Sequence, residues 1–545
     1  MKLSADNFLR KACVTLGVAA FVACSGYAAA QSEMDLPDIG NPAGTYLSRD
    51  DEYDIGLMIV QQLRDQNQIL EDPESAEYIQ SIGSRLAAQG PEMAHHFHYF
   101  VVNDGDLNAF ALPGGFIGCN YGTILATESE SELAGVLAHE TAHVTQRHIA
   151  RAMVAQTHQT IEAAATMLAA ILVGAAGGGA AAVEGGIAAA QGMAAQGEIN
   201  FTRGEENEAD RIGMEYLSKA GFDPEGMPDF FETLSREYGY EEGLVPKFLL
   251  DHPVTSDRIA DARARAAHMD RPRNLKDSVD YGLIRERLRV ITASEDYDIL
   301  GYYRRRLETT TPSLADQYGE ALALMRHARP TEAVEILEPL VAQHQGVILL
   351  RSALGQAQVA AGQVQDGLTT FARAETLFPR NVPLTVRYAE SLIKVGRPKE
   401  AHELLLDLFN NVDPTPRQIE LTAQAANAAG DRGDAYYYMG YYHIMNGNLP
   451  LASYQLELAL KVPNLTTVQR LRFQAQLDEV RQYIQLERRE NHGRVSGGDG
   501  SGQFDFNSPS AGSAQFGSGA QLGSGAQLGS DAPPDGAPPF DDRLH

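Results

Sequence analysis

Cysteine is nearly absent, with three residues in a chain of 545. Cys13 and Cys24 both sit in a leader-like N-terminus, so cleavage after Ala30 would leave Cys119 alone and exclude an internal disulfide framework. Positive charge is scarce as well. Lys and Arg number 44 against 72 Asp and Glu, a formal net charge of -28. No Lys/Arg cluster is present to meet phosphates, which argues against a nucleic-acid partner. The acidity favours solubility and disfavours attraction to anionic lipid, without opposing hydrophobic insertion. Long apolar runs are few. The stretch Ala12 to Ala23 is too short to span a bilayer comfortably. With Lys2, Arg10 and Lys11 before it and Ala28-Ala29-Ala30 after it, it reads as a cleaved export signal over residues 1–30 and implies a periplasmic protein. A lipoprotein reading would use Cys24, but Phe21-Val22-Ala23 matches the pattern before such a cysteine poorly.

What is present is concentrated in five residues, His139-Glu140-Thr141-Ala142-His143. Two histidines four apart on a helix point the same way and can grip one metal ion, with Glu140 placed to act on a water there. Ser129 and Glu132 have capping-box spacing, which predicts a helix starting near residue 130. Two imidazoles rarely suffice for a catalytic zinc, so a third protein ligand is expected. Glu206 and Asp210 lie four apart and share a helical face. Glu206 would complete the metal set. Asp210 would orient a ligand histidine, His139 first, by accepting its outer ring N–H. Glu205 and Glu208 are rivals for the Glu206 role. His148 lies about half a turn round a continued helix from His139 and reads as a packing residue.

Along the chain, residues 31–47 form a polar lead-in and 48–270 the metal-bearing domain. His98 to Val102 reads as a strand. A second strand over Leu107 to Leu112, a Pro113-Gly114-Gly115 turn and a third strand follow. Residues 163–200 are rich in Ala and Gly. Their length would admit a membrane crossing, but a single crossing would put Glu206 on the opposite side from His139 and His143. A hairpin or loop near the site, or resting on a membrane face in peripheral contact, is expected instead. Residues 271–311 read as a helical connector. Over 312–490 the chain repeats: Ala333, Gly367 and Ala401 are spaced by 34, as are Leu337, Phe371 and Leu405, and Leu340, Ala374 and Leu408. This is the tetratricopeptide pattern, and three or four stacked repeats are predicted. A unit around Ala452, Leu456 and Ala459 keeps the internal spacing but is displaced by an inserted segment containing Tyr436-Tyr437-Tyr438. Residues 491–545 are Gly/Ser/Gln/Pro-rich and predict a disordered tail. The fold class is therefore mainly α, a zinc-peptidase domain with a small β-sheet followed by an α-solenoid.

The order of motifs resembles the zinc metallopeptidase family that contains the CAAX prenyl protease and the HtpX heat-shock protease. The carriers are His139 to His143, Glu206-Asn207-Glu208-Ala209-Asp210, the segment Asn108 to Gly115, and Asp251-His252-Pro253 through Arg258. The resemblance implies a metalloendopeptidase with one zinc ion per chain. In such proteins the His-Pro segment lies beside the site. His252 would then donate to the oxyanion, or occupy the open zinc position and hold the enzyme latent. Arg258 would supply the oxyanion's positive partner or anchor the loop. Asn108, Ala109, Phe110 and Ala111 would offer an edge strand to a substrate peptide. An exported member with repeats implies unfolded or misassembled outer-membrane proteins as substrates and the barrel-assembly machinery as a partner, the repeats docking them on a concave face. A chaperone or scaffold with incidental proteolysis is the alternative.

Overall fold

The computed structural model describes residues 47–90, 97–155, 202–238, 248–249, 252–272, 276–309, 311–410 and 412–495. The leader over 1–30, the lead-in up to residue 46, the segment 163–200 and the tail beyond 495 lie outside the described residues. The chain opens with α1 (Arg49–Asp65) and α2 (Pro73–Ala87), capped by the side chains of Ser48 and Asp72. Three strands follow: β1 (His98–Val102), β2 (Ala109–Leu112) and β3 (Phe116–Asn120). Their order is β1-β3-β2, with β3 parallel to β1 and antiparallel to β2. Pro113–Gly115 makes a tight 3-10 turn between β2 and β3. Gly114 has φ +75° there, and a Cβ on it would meet the Tyr53 backbone at 2.3 Å, so only glycine fits.

Strand alternation puts Tyr99 and Val101 into one core and Phe100 and Val102 into another. On the first side lies α4 (Glu130–Thr145), preceded by the short α3 (Tyr121–Ala126). Ser129 caps α4 by accepting the Glu132 N–H at 3.2 Å. Every residue of α4 from Glu130 to His143 is buried, as expected of a helix covered on all sides. The second side of the sheet carries α1, whose Ile55, Ile59 and Leu63 meet Phe100 and Phe116. After α5 (His148–Ala155) the described chain resumes in α6 (Arg203–Lys219), α7 (Gly226–Tyr238) and α8 (Ser256–Ala266). Helix α6 crosses α4 closely because Gly213 has no side chain. A Cβ there would come within 3.0 Å of the Ala138 carbonyl and 3.1 Å of the His139 nitrogen. That approach brings the acidic face of α6 to the histidines of α4.

Helices α9 (Val279–Ile291) and α10 (Ile299–Thr309) lead into α11 (Leu314–Arg326), α12 (Pro330–Gln343), α13 (Ile348–Ala360), α14 (Val364–Leu377), α15 (Val382–Lys394) and α16 (Pro398–Phe409). Then come α17 (Pro416–Ala428), α18 (Arg432–Met445), α19 (Leu449–Lys461) and α20 (Thr467–Val495). The residues spaced by 34 all lie on α12, α14 and α16 and are buried. The inserted segment is resolved differently from the sequence expectation. Tyr436 to Tyr438 belong to α18, the first helix of the last hairpin, where Gly440 packs on Leu456 and Ala452 of α19. The additional element is one whole helix, α17. Helix α20 runs to Val495, five residues into the stretch expected to be disordered.

The repeats and the segment that carries His139 and His143 belong to one compact unit. Asp72 and Glu74 at the start of α2 form a buried ion cluster with Arg287 of α9 and Arg387 of α15. Ser352 of α13 donates to Glu74 at 3.2 Å, and Gln61 of α1 donates to the Met445 carbonyl at 3.2 Å. The face built by α13 and α15 is therefore covered here by the chain's own α2. No helix among the described residues is long and apolar enough to cross a membrane.

Candidate metal centre

Helix α4 sets His139 and His143 one turn apart, with their Nε2 atoms 3.0 Å from each other. Glu206 reaches in from α6, Oε2 3.7 Å from His139 Nε2 and Oε1 3.4 Å from His143 Nε2. His252 comes from the loop before α8. Its Nδ1 lies 2.9 Å from Glu206 Oε1 and 3.3 Å from His139 Nε2. One donor atom of each of these four residues lies within 4.8 Å of the others, and all four side chains are buried. Sequence reasoning expected three of them as ligands and left His252 open. The structure brings all four together.

The set fits a divalent cation by the chemistry of its donors. His139 Nδ1 stands 3.0 Å from Asp210 Oδ1, a carboxylate that only accepts, so the ring proton belongs on Nδ1. The Nε2 lone pair of His139 then faces the other donors in a buried space, where a cation is the species that satisfies them together. Burial alone would raise Glu206, but His252, His143 and His139 hold it well below the usual carboxylate range. Burial alone would likewise lower His252, and the charges of Glu140 and Glu206 push it up to about 9. His143, dominated by burial, is held well below its ordinary value.

Glu140, beside His139, is buried, and its Oε1 lies 3.6 Å from His252 Nε2. Arg258 is spent on holding the site. It donates to both oxygens of Asp210 at 2.8 Å and to the Pro253 carbonyl at 2.9 Å, and pairs with Glu206 Oε2 at 2.6 Å. These contacts tie Arg258 to Asp210, to Glu206 and to the loop that carries His252. Glu205 caps α6 through Thr202, and Glu208 turns away to His148, which removes both as rivals to Glu206.

Strand β2 is an edge of the sheet, and Phe110 and Ala111 are half-buried. Ala109 is buried. Asn108 differs from the expectation for a substrate strand. Its N–H donates to Thr123 Oγ1 at 2.8 Å and its carbonyl accepts from the Asn120 N–H at 3.0 Å, so its backbone is already paired.

His148 stands outside the four-donor cluster, buried against the His143 ring. It does not continue α4. The chain breaks at Arg147, with φ +54°, and His148 opens α5 with its Nδ1 3.0 Å from His143 Nδ1. Phe248 was missed altogether. Its ring stands 5.1 Å from that of His252, and its carbonyl accepts the His252 N–H at 2.7 Å. A single hydrophobic residue before a histidine carries no signal in a lone sequence.

Residues 73–266 match the profile of Peptidase family M48. The chain is similar to the β-barrel assembly-enhancing protease of Escherichia coli (strain K12), 33% identical over 469 residues that cover 83% of this chain and 92% of that one. It is similar to the putative β-barrel assembly-enhancing protease of Vibrio cholerae, 32% identical over 473 residues covering 85% and 96%. The metalloprotease LoiP of Escherichia coli (strain K12) is 28% identical over 198 residues, which cover 35% of this chain and 72% of LoiP.

Proposed function

Since the chain belongs to the β-barrel assembly-enhancing protease family and carries an M48 metallopeptidase segment, we propose that it is a zinc endopeptidase of the periplasm that removes misassembled outer-membrane barrel proteins and assists their assembly. The buried four-donor cluster beside Glu140 carries the peptidase part of this reading. Ligands held about 2.0–2.1 Å from a tetrahedral zinc stand roughly 3.3 Å from one another. Five of the six donor pairs here stand 2.9 to 3.7 Å apart, counting either oxygen of Glu206, and the whole set lies within 4.8 Å. His139, His143 and Glu206 would hold the ion, with His252 as a fourth ligand.

Zinc, when bound, polarises a scissile carbonyl and makes water acidic enough to lose a proton near neutral pH. Glu140 takes the proton of the attacking water and delivers it to the leaving amine. Asp210 fixes the tautomer and ring plane of His139, and Arg258 holds Asp210 and the His252 loop in one grip. Ala109 to Ala111 on the edge strand would receive an extended peptide through main-chain hydrogen bonds, with Asn108 acting through its side chain alone. The leader sequence and the acidic, disulfide-free composition suit the periplasm.

His252 stands between Glu140 and the other donors, 3.6 Å from Glu140 Oε1 and 2.9 Å from Glu206 Oε1. A peptide carbonyl and its attacking water would need that space, so His252 in this position holds the enzyme latent. In cells making a barrel protein that stalls in assembly, His252→Ala should shorten the lifetime of the stalled barrel relative to wild type. The gain is on the order of tenfold if the latent state holds nine-tenths of the molecules. A stalled barrel that persists equally with wild type, with His252→Ala and with no enzyme would overturn the substrate assignment.

A further inference from the structure

We propose that His148 is a positioning residue of the metal centre: it accepts the Nδ1–H of His143 and so fixes the tautomer that turns the His143 Nε2 lone pair inward. The inference rests on the metal-centre reading above and adds to it the partner of its second histidine.

Arg147 adopts φ +54°, a left-handed conformation that strains a non-glycine residue. Its side chain is anchored on the other side of the sheet. Nε donates to Glu52 Oε1 at 2.8 Å, and NH2 donates to the Leu47 carbonyl at 2.8 Å. Glu52 is itself buried on α1. This turn sends His148 back toward α4 instead of onward along the helix axis. The two imidazoles meet edge to face, with centroids 4.8 Å apart and planes at 83°, and both rings are fully buried.

Proton accounting then assigns the tautomers. The facing nitrogens, His148 Nδ1 and His143 Nδ1, are 3.0 Å apart and share one proton. At its other end His148 Nε2 lies 3.2 Å from Glu208 Oε2, a carboxylate that can only accept. The Nε2 proton of His148 is therefore directed to Glu208, which leaves a lone pair on His148 Nδ1. The shared proton sits on His143 Nδ1, and the His143 Nε2 lone pair faces the cluster. Arg151 NH2 donates to the same Glu208 oxygen at 3.4 Å and steadies it. Both ligand histidines thus have their outer N–H fixed. His139 is held by Asp210 directly, and His143 through a relay imidazole that ends on Glu208.

The test compares zinc affinity, by competition with a chromogenic chelator, in the purified full chain and three variants. His148→Phe keeps a ring but no acceptor, His148→Asn keeps an oxygen near the Nδ1 position, and Glu208→Ala removes the far end of the relay at a half-exposed site. His148→Phe should weaken zinc about 10–100-fold, the range for losing such an orienting partner. His148→Asn should recover most of that loss, and Glu208→Ala should show a smaller weakening. The visible spectrum of the cobalt-substituted protein should change in His148→Phe and return in His148→Asn, which a role in packing alone would not produce. If wild type binds one zinc tightly and His148→Phe and Glu208→Ala bind it equally well with the same cobalt spectrum, the positioning role is wrong. A wild-type chain that binds no stoichiometric zinc overturns the metal-centre reading itself, and this inference with it.

Discussion

Glu140→Gln should lower kcat/KM for peptide hydrolysis by about 10²–10⁴, the usual contribution of a positioned acid–base group, and should leave one zinc bound per chain. The substitution preserves size and removes only the proton-accepting charge. Glu140 is not among the four clustered donors, so the metal should stay. It is fully enclosed, and its Oε1 stands 3.6 Å from His252 Nε2. A variant that keeps zinc and the fold yet cleaves at the wild-type rate would remove Glu140 from the chemistry. The same variant separates the two activities proposed for the chain. If normal barrels still mature while stalled ones are no longer degraded, the repeats support assembly independently of cutting.

Arg287→Met should destabilise the protein by about 3–5 kcal/mol, because removing one member of a buried ion cluster strands the opposite charge. Arg287 donates to both oxygens of Asp72, at 2.8 and 2.6 Å, and pairs with Glu74 at 3.0 Å. Arg387 would remain, reaching Asp72 at 2.7 Å and Glu74 at 2.9 Å from the repeat side, one guanidinium left for two buried carboxylates. The cluster also makes a pH signature. Burial alone would raise the Asp72 carboxyl, but Arg287 and Arg387 hold it well below the usual carboxylate range. A depressed carboxyl binds fewer protons folded than unfolded, so its stabilisation is present above the ordinary aspartate value of about 3.9 and is lost as pH falls through the folded value. Urea unfolding of wild type should show stability dropping below about pH 4, and Arg287→Met should flatten that part of the profile. Equal stability of the two proteins at pH 7 would mean that the cluster does not fasten the repeats to the peptidase segment.

Much of the site could be read from spacing. His139 with His143 and Glu206 with Asp210 are pairs four apart on helices, and local periodicity alone puts each pair on one face. The strand at His98 to Val102 and the repeat positions on α12, α14 and α16 follow from equally local patterns. What was not legible depends on contacts between distant segments or on one unusual torsion. No glycine or proline announces the left-handed turn at Arg147, because Glu52, nearly a hundred residues earlier, holds it. His148 was therefore projected along a helix that does not continue. The cluster of Asp72, Glu74, Arg287 and Arg387 has no period at all, and its partners are 215 and 315 positions apart. The extra helix α17 shifted the last hairpin out of the 34-residue register, so a regular element looked like an insertion.

X-ray absorption at the zinc edge of the purified chain addresses the central claim most directly. The account requires one zinc per chain with about four nitrogen or oxygen neighbours near 2.0–2.1 Å, one fewer nitrogen in His252→Ala, and hydrolysis that stops when the metal is chelated. A spectrum with a sulfur neighbour, or peptide cleavage by metal-free protein, would contradict it.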